Sequence, residues 1–368
     1  MRLAYCIHAL NLSGGIERVL TTKANYLADV LGHEVHIITA RQKGRKECFR
    51  LSDRIVRHDL DANDRMFLHK YRRRLGAIRP DITVTVCDNS LYALTGCDDG
   101  SVKVGEFHFS HEKFMMKYGT GALGRAYAEF RTRRLERAVR KLDRFVVLTK
   151  ADKEDWEKVR PDVEQIYNPL TFVSDEVSPL TGKRCVAVGR LEAQKNFKDL
   201  IKAWKTVDGR HPDWTLSIFG KGSQENELRN LIKDSGLAGK VILEGGTSDI
   251  RKELLDSSCL VMSSRYEGFP MVLLEALTTG LPIVSYDCPK GPSEIVTIGA
   301  NGYLAKVGDT GTLAQGICSV IANEDLRRRF GAESKRRSEN FTLEKTMERW
   351  DRLFSSLTTS RTRTSPEG

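Results

Sequence analysis

The chain of 368 residues is 40% hydrophobic and 29% charged, with 30 glycines, 10 prolines and a formal charge of +10. That apolar share excludes a disordered chain, the scattered glycines exclude a fibrous one, and no run of about 18 uncharged apolar residues offers a membrane span. At about 100–200 residues per domain, the length predicts two domains, each with its own core.

Short apolar runs alternate with helical stretches along the chain. A first series of strands is predicted at 3–8, 35–39, 82–86, 102–107 and 145–148, and a second at 185–188, 216–219, 241–243, 260–263 and 283–286. Near-continuous apolar strands alternating with helices predict parallel sheets covered on both faces, and two series predict two doubly wound domains. Asn168-Pro169 disfavours helix and a polar stretch follows, so the domains are set at 1–168 and 169–340. Residues 341–356 read as one more amphipathic helix, and 357–368, rich in Ser, Thr and Arg, as a disordered tail.

The eight cysteines form no C-x-x-C pair and no zinc spacing, and several lie in apolar runs, as Cys185 and Cys259 do. They are read as reduced and mostly buried. The opening residues 1–8 lack the apolar core and cleavage site of a secretory signal. Together these features predict a cytoplasmic protein.

The positive charge is uneven: 31 Lys/Arg against 23 Asp/Glu in residues 1–168, but 28 against 26 in residues 169–368. The excess gathers at 69–74 and in a stretch from Arg125 to Arg144, where Leu135, Val139 and Leu142 recur at helical spacing among Arg131, Arg133, Arg134, Arg137, Arg140 and Lys141. That stretch is read as a basic amphipathic helix. It is either a solvated face or a surface for anionic lipid headgroups. Nucleic acid is a third reading, but no helix-turn-helix, zinc or RNP pattern supports it.

Open parallel sheets bind ligands beyond the carboxyl ends of their strands, at helix N-termini, so each strand-to-helix turn is a candidate. The first carries Gly14-Gly15, which allows close backbone approach to a phosphate or sugar, or merely a tight turn. The turn after 185–188 carries Arg190 and Lys195, a planar fork and a mobile point charge suited to a diphosphate. The turn after 216–219 begins Gly220-Lys221-Gly222, but Glu225 stands where a dinucleotide fingerprint needs its third glycine, which argues against a nicotinamide dehydrogenase. The densest signal runs from Ser263 to Ala276. Gly268 permits an unusual turn, Pro270 suits a first helical turn, and the amides of Phe269, Met271 and Val272 face an anion at a helix N-terminus. Glu267 and Glu275 then lie about 10 Å apart along the axis, too far to share a proton. They suit two acceptors gripping opposite ends of an elongated, hydroxyl-rich ligand, since a surface role fits Glu275 poorly among Leu273, Leu274, Ala276 and Leu277.

The stretch Glu267 to Glu275 resembles the E-x7-E motif of retaining glycosyltransferases of family four, glycosyl transferases group 1. Gly280-Leu281-Pro282, Gly291-Pro292-Ser293-Glu294, Asn301-Gly302, Gly14-Gly15, Gly189-Arg190 with Lys195-Asn196, Gly220-Lys221-Gly222 and Asn168-Pro169 are similar to the same family. The resemblance implies the GT-B fold: two doubly wound Rossmann-like domains facing a central cleft, the first binding the acceptor, the second the nucleotide sugar, with the last helix crossing back to the first. It implies that Arg190 and Lys195 bind the donor diphosphate and that Glu275 holds the ribose. Glu267 would bond a hydroxyl of the transferred sugar, the amides of Gly268, Phe269, Pro270's neighbour Met271 and Val272 would contact sugar and phosphate, and Gly15 and Gly220 would approach the donor. It also implies a histidine beside the donor sugar; His108 follows the strand end more directly than His111 and is preferred, while His8, His33 and His36 read as structural.

The expected function is retaining, metal-independent transfer of a hexose or related sugar, from a UDP sugar ahead of a GDP sugar, to a glycan or undecaprenyl-diphosphate-linked acceptor in bacterial surface-glycan synthesis. No D-x-D motif ends a strand, so neither metal nor cofactor is expected, and no nucleic-acid partner. An anionic membrane surface is a candidate partner for a protein peripheral on the inner face of the plasma membrane. A nucleotide-sugar epimerase or phosphorylase of the same fold and a basic polyanion-binding protein are the alternative readings.

Overall fold

The computed structural model describes residues 1–62 and 64–362. The chain divides into two compact units: Met1–Thr171 together with the chain from Leu343 on, and Phe172–Thr342.

The first unit runs β1 (Arg2–Ile7), α1 (Gly15–Asp29), β2 (Glu34–Thr39), β3 (Val56–Asp59), α2 (Asp64–Ile78), β4 (Ile82–Thr85), α3 (Asp88–Leu94), β5 (Val102–Phe107), α4 (Lys113–Tyr118), α5 (Gly121–Val139), β6 (Arg144–Val147), α6 (Lys150–Glu157) and β7 (Val163–Gln165). Its seven strands are parallel, in the order β3-β2-β1-β4-β5-β6-β7, with Leu3 of β1 beside Val35 on one side and Ile82 on the other. Alternate residues of a strand point to opposite faces. Leu3 and Tyr5 therefore pack under Leu20 and Leu27 of α1, while Ala4 and Cys6 pack against Tyr71 and Leu75 of α2 on the other face.

The second unit runs β8 (Arg184–Val188), α7 (Phe197–Arg210), β9 (Thr215–Phe219), α8 (Glu225–Asp234), β10 (Val241–Gly245), α9 (Ile250–Leu255), β11 (Cys259–Met262), α10 (Met271–Thr278), β12 (Ile283–Tyr286), α11 (Pro292–Ile295), β13 (Gly302–Ala305), α12 (Thr310–Ala322) and α13 (Glu324–Ser338). Its parallel order is β10-β9-β8-β11-β12-β13. Trp204 and Val207 of α7, Ile317 and Val320 of α12 and Phe330 of α13 share a core with β8, β9 and β12. The doubly wound class read from the sequence is present in both units.

The last helix, α14 (Leu343–Thr362), returns to the first unit, where Met347, Trp350, Phe354 and Leu357 join the core beside α1. The helix corrects the expected disordered tail over 357–362: Leu357 is buried and continues the apolar stripe of Trp350 and Phe354 at helical spacing. The rest of that expected tail, 363–368, lies outside the described residues.

All ten strands read from the sequence are present. The structure adds β3, β7 and β13, each of four residues or fewer and each next to or at a sheet edge. The basic helix expected over 125–144 is corrected to Gly121–Val139. Beyond it the amides of Lys141 and Leu142 donate to Ala138 and Val139 in a tight turn, and Arg144 opens β6. Leu142 is still buried, so the apolar spacing ran on past the last helical turn. The eight cysteines are all free, and six are buried.

Candidate functional site

In each sheet the chain starts in the middle, builds outward to one edge, then crosses back over its first strand. The crevice at that reversal, beyond the carboxyl ends of the strands, is where open α/β sheets take ligands. In the second unit it lies between β8 and β11, and in the first between β1 and β4.

The loop after β8 carries Arg190 and Lys195, and the loop after β11 carries Glu267. The structure brings two of these together: Lys195 Nζ donates to Glu267 Oε1 at 2.6 Å, with side chains 17% and 9% exposed. The Lys195 carbonyl accepts from Ser263 Oγ at the end of β11, fixing the lysine's backbone against the neighbouring strand. Asn196 then adopts a left-handed conformation (φ 52°) that starts α7. Arg190 is exposed and donates to Gln194 Oε1. Gln194 in turn donates to the Tyr266 carbonyl and its own carbonyl accepts from the Arg265 amide. Its amide stitches the two loops together, a role that no sequence pattern flagged although Gln194 lies between the two candidate cations.

Gly220 ends β9 against the same loop. Its amide donates to Gly245, and a Cβ there would sit 1.8 Å from the Gly189 carbonyl oxygen, so no other residue fits. Gly222 is equally confined, 2.4 Å from the Leu191 carbonyl oxygen.

Pro270 is the residue before α10 rather than within its first turn, in extended conformation (ψ 102°). The helix begins at Met271, so the amides of Met271 and Val272 are among its first N–H groups, the end that attracts an anion. Phe269 and Val272 are buried, and Gly268 and Met271 half-buried. Glu275 lies one turn on and is 6% exposed, in a helix with six other buried residues. Cys288, after β12, is buried near this loop. Burial pushes its thiol up and the Glu267 carboxylate adds to the effect, so it stays a thiol and no nucleophile.

In the first unit Gly15 opens α1 directly after the turn that follows β1, and it is exposed. A cavity of about 150 Å³ opens at the same end of this sheet, lined by His8, Arg41, Phe67, Cys87 and Ser90 among others. His108 follows β5 immediately and is 7% exposed. His111 lies differently: its Nε2 is 3.1 Å from Glu136 Oε1 of α5 and its ring stands edge-on to Trp156. Behind His108 lies a buried ion pair, Lys23 with Glu106, that the sequence reading passed over. The signal was present as two charges in apolar patterns, Lys23 among Val19, Leu20, Ala24 and Leu27, and Glu106 in Val-Lys-Val-Gly-Glu-Phe.

Among the described residues no group of three or more His, Cys, Asp or Glu side chains is arranged to hold a metal ion, and no helix is long and apolar enough to cross a membrane.

Two family descriptions tile the chain: residues 13–171 match "Glycosyltransferase Family 4" and residues 172–337 match "Glycosyl transferases group 1". An uncharacterized glycosyltransferase of Haemophilus influenzae is 28% identical over 359 residues, 95% of this chain and 98% of that one. The lipopolysaccharide 1,6-galactosyltransferase of Salmonella typhimurium is 31% identical over 172 residues, 44% of this chain and 47% of its own length. In fold, the chain is similar to a mutant S. aureus TarM solved with Fondaparinux, alpha-GlcNAc-glycerol and UDP, at a TM-score of 0.81 and 16% identity, over 96% of this chain and 99% of that one.

Proposed function

The chain belongs to the GT-B-fold glycosyltransferases of group 1, and we propose that it is a retaining, metal-independent enzyme. It moves a sugar from a nucleoside diphosphate, UDP ahead of GDP, to a saccharide or lipid-linked saccharide during synthesis of a bacterial surface glycan: exopolysaccharide, capsule or lipopolysaccharide. The observation that carries this reading is the contact of Lys195 with Glu267 at the reversal point of the second sheet, beside the N-terminus of α10.

In this reading the donor inserts between cation and carboxylate. Lys195 turns to the diphosphate with Arg190, and Glu267 takes a hydroxyl of the transferred sugar. Glu275 holds the ribose, and the amides from Gly268 to Val272 contact sugar and phosphate. Gly220 and, from the first unit, Gly15 let backbone approach the donor, and His108 faces the sugar. As the bond to the nucleotide breaks, negative charge grows on the departing diphosphate. Once the donor is seated, these cations and the amide dipoles stabilise that charge, an effect that removal of a single donor elsewhere puts at about 10²–10³ in rate. The acceptor hydroxyl attacks from the face the leaving group vacates and passes its proton to the freed phosphate oxygen. The UDP bound to TarM supports the choice of base, and the named acceptor of the Salmonella galactosyltransferase supports a glycan acceptor.

The acceptor we infer is carried on undecaprenyl diphosphate, with the protein peripheral on the inner face of the plasma membrane. The support is α5. Leu123, Tyr127 and Phe130 stand 89%, 46% and 59% exposed on a helix that also carries Arg125, Arg133, Arg134 and Arg137. Exposed apolar side chains beside cations are the composition of an interfacial helix.

A thermal-shift panel of UDP, GDP, ADP and their common sugars tests the donor. A ligand at 100 times its dissociation constant stabilises by about 2.7 kcal/mol, which is easily read. A rise with UDP or a UDP sugar is expected; a flat response to every nucleotide overturns the reading.

A further inference from the structure

Two opposite charges lie in the core of the first unit, and a doubly wound sheet has no need of either. Lys23 is on the inward face of α1 and 1% exposed; Glu106 is on β5 and 4% exposed. The Lys23 ammonium donates to Glu106 Oε1 at 2.6 Å. Trp350 of α14 covers it from the other side, with Nζ 3.8 Å from the ring centroid. Such a pair does not explain itself by stability. Desolvating two ions costs several kcal/mol each, and apolar side chains of the same volume often do as well or better.

Glu106 has a second neighbour. The oxygen that accepts from Lys23 lies 3.2 Å from Nε2 of His108, just past the carboxyl end of the same strand: an ion-pair distance, although the buried Nε2 is not aligned for a full hydrogen bond. Residues two apart on a strand share a face, which is how the carboxylate reaches the imidazole. Burial pushes the Glu106 carboxyl up, but the Lys23 ammonium and His108 outweigh it and hold it below its ordinary range. Its ionised form, which only accepts, is thereby favoured.

We propose that Lys23 and Glu106 are positioning residues for His108: the carboxylate, pinned from behind by Lys23 and Trp350, orients the imidazole and keeps its proton on Nε2. The other nitrogen, Nδ1, then carries a lone pair in a fixed direction and accepts from a hydroxyl. A second group that fixes tautomer and ring orientation is how histidine is usually made into a directional ligand. This rests on the reading above that His108 faces the transferred sugar. It adds that the histidine acts as an acceptor and that its geometry is supplied by α1 and, through Trp350, by the last helix of the chain.

The test uses the full chain with 15N-labelled histidine, with His108 assigned by its loss in His108→Gln. In the wild type its ring spectrum should show one tautomer, protonated at Nε2. The double variant Lys23→Met/Glu106→Leu removes both charges at near-constant volume, so it should melt close to wild type, while the His108 ring averages between tautomers. Glu106→Gln, which keeps an acceptor oxygen, should retain the Nε2–H signature. Turnover is followed as UDP release from UDP-glucose, UDP-galactose and UDP-N-acetylglucosamine. The double variant should lose roughly ten- to a hundredfold in kcat, with donor KM within about twofold, because misplacement of a contacting group by about 1 Å costs that much. Adding His108→Ala to it should cost nothing further. An unchanged ring spectrum in the double variant overturns the positioning role, and that result needs no substrate. A sound spectrum with wild-type turnover in His108→Ala instead overturns the placement of His108 at the sugar and leaves the positioning intact.

Discussion

Lys195 and Glu267 lie 72 positions apart in the chain, yet their ammonium and carboxylate meet at 2.6 Å. Each supplies the charge the other lacks, so the two neutralise one another. In the proposed reading a donor parts them, and its diphosphate and hydroxyls replace what each loses.

Lys195→Ala removes the mobile cation. Turnover should fall by about 10²-fold or more, while the melting temperature moves only a few degrees, since the lysine side chain is partly solvated. Steady-state kinetics with the donor chosen by the thermal-shift panel, beside a melt, check this. Normal turnover would show the site to be misassigned.

Glu275→Gln keeps the volume of a buried side chain and removes its charge. A carboxylate bonded to ribose hydroxyls contributes about 1.5–3 kcal/mol. Calorimetric titration should therefore show the nucleotide binding at least tenfold more weakly, with the free protein folded as before. Unchanged affinity would exclude Glu275 from the donor site.

His58 predicts a pH dependence of stability. Burial, then the Arg74 guanidinium and the His36 ring stacked on it, lower its pKa from 6.5 to about 4, against a smaller opposing effect of Asp59. The folded state thus prefers the neutral ring, and the unfolded state takes up a proton first as pH falls. Its contribution is complete above about pH 6.5, declines between 6.5 and 4, and is gone below that. Urea midpoints of the first unit should follow this course, and His58→Gln should flatten it. Equal slopes in both proteins would refute the assignment.

Phe354→Ala opens a hole in the core that α14 shares with α1, where the ring is fully buried. Aromatic-to-alanine changes in such places cost about 3–5 kcal/mol. Denaturant unfolding followed by a probe in the first unit should show that loss, with the second unit unaffected. A loss below 1 kcal/mol would mean that the helix is not held there in solution.

Leu123→Ser/Phe130→Ser tests α5 against membranes. Both side chains are exposed, so the fold and turnover of soluble substrates should persist, while flotation with vesicles containing phosphatidylglycerol should drop to the level seen with neutral vesicles. Wild-type protein that floats equally with both vesicle types would end the proposal.

Much of this was legible in the sequence because a parallel strand buried on both faces is a nearly unbroken apolar run; β1, β6, β8, β11 and β12 announce themselves so. β3 does not, because Val56 and Asp59 are exposed at the edge and only pairing with β2 makes them a strand. The turn residues of the candidate site were legible for a related reason: Arg190, Lys195 and Glu267 stand directly beyond apolar runs. What spacing does not disclose is who meets whom. Lys195 with Glu267, and Lys23 with Glu106, are joined by sheet order, which brings together strands far apart in the chain. The end of α5 was missed because Leu142 keeps the helical rhythm while its backbone turns toward β6.

The return of α14 to the first unit has a consequence for synthesis. Domains fold as units while the chain is still growing. The second unit is contiguous and has all its parts once Thr342 has left the ribosome, but the first must wait, with the apolar surface meant for Trp350 and Phe354 uncovered, until the final helix arrives. A chain stopped after Thr342 therefore leaves a finished second unit tethered to a first unit whose apolar surface stays uncovered, a state prone to stick to other chains.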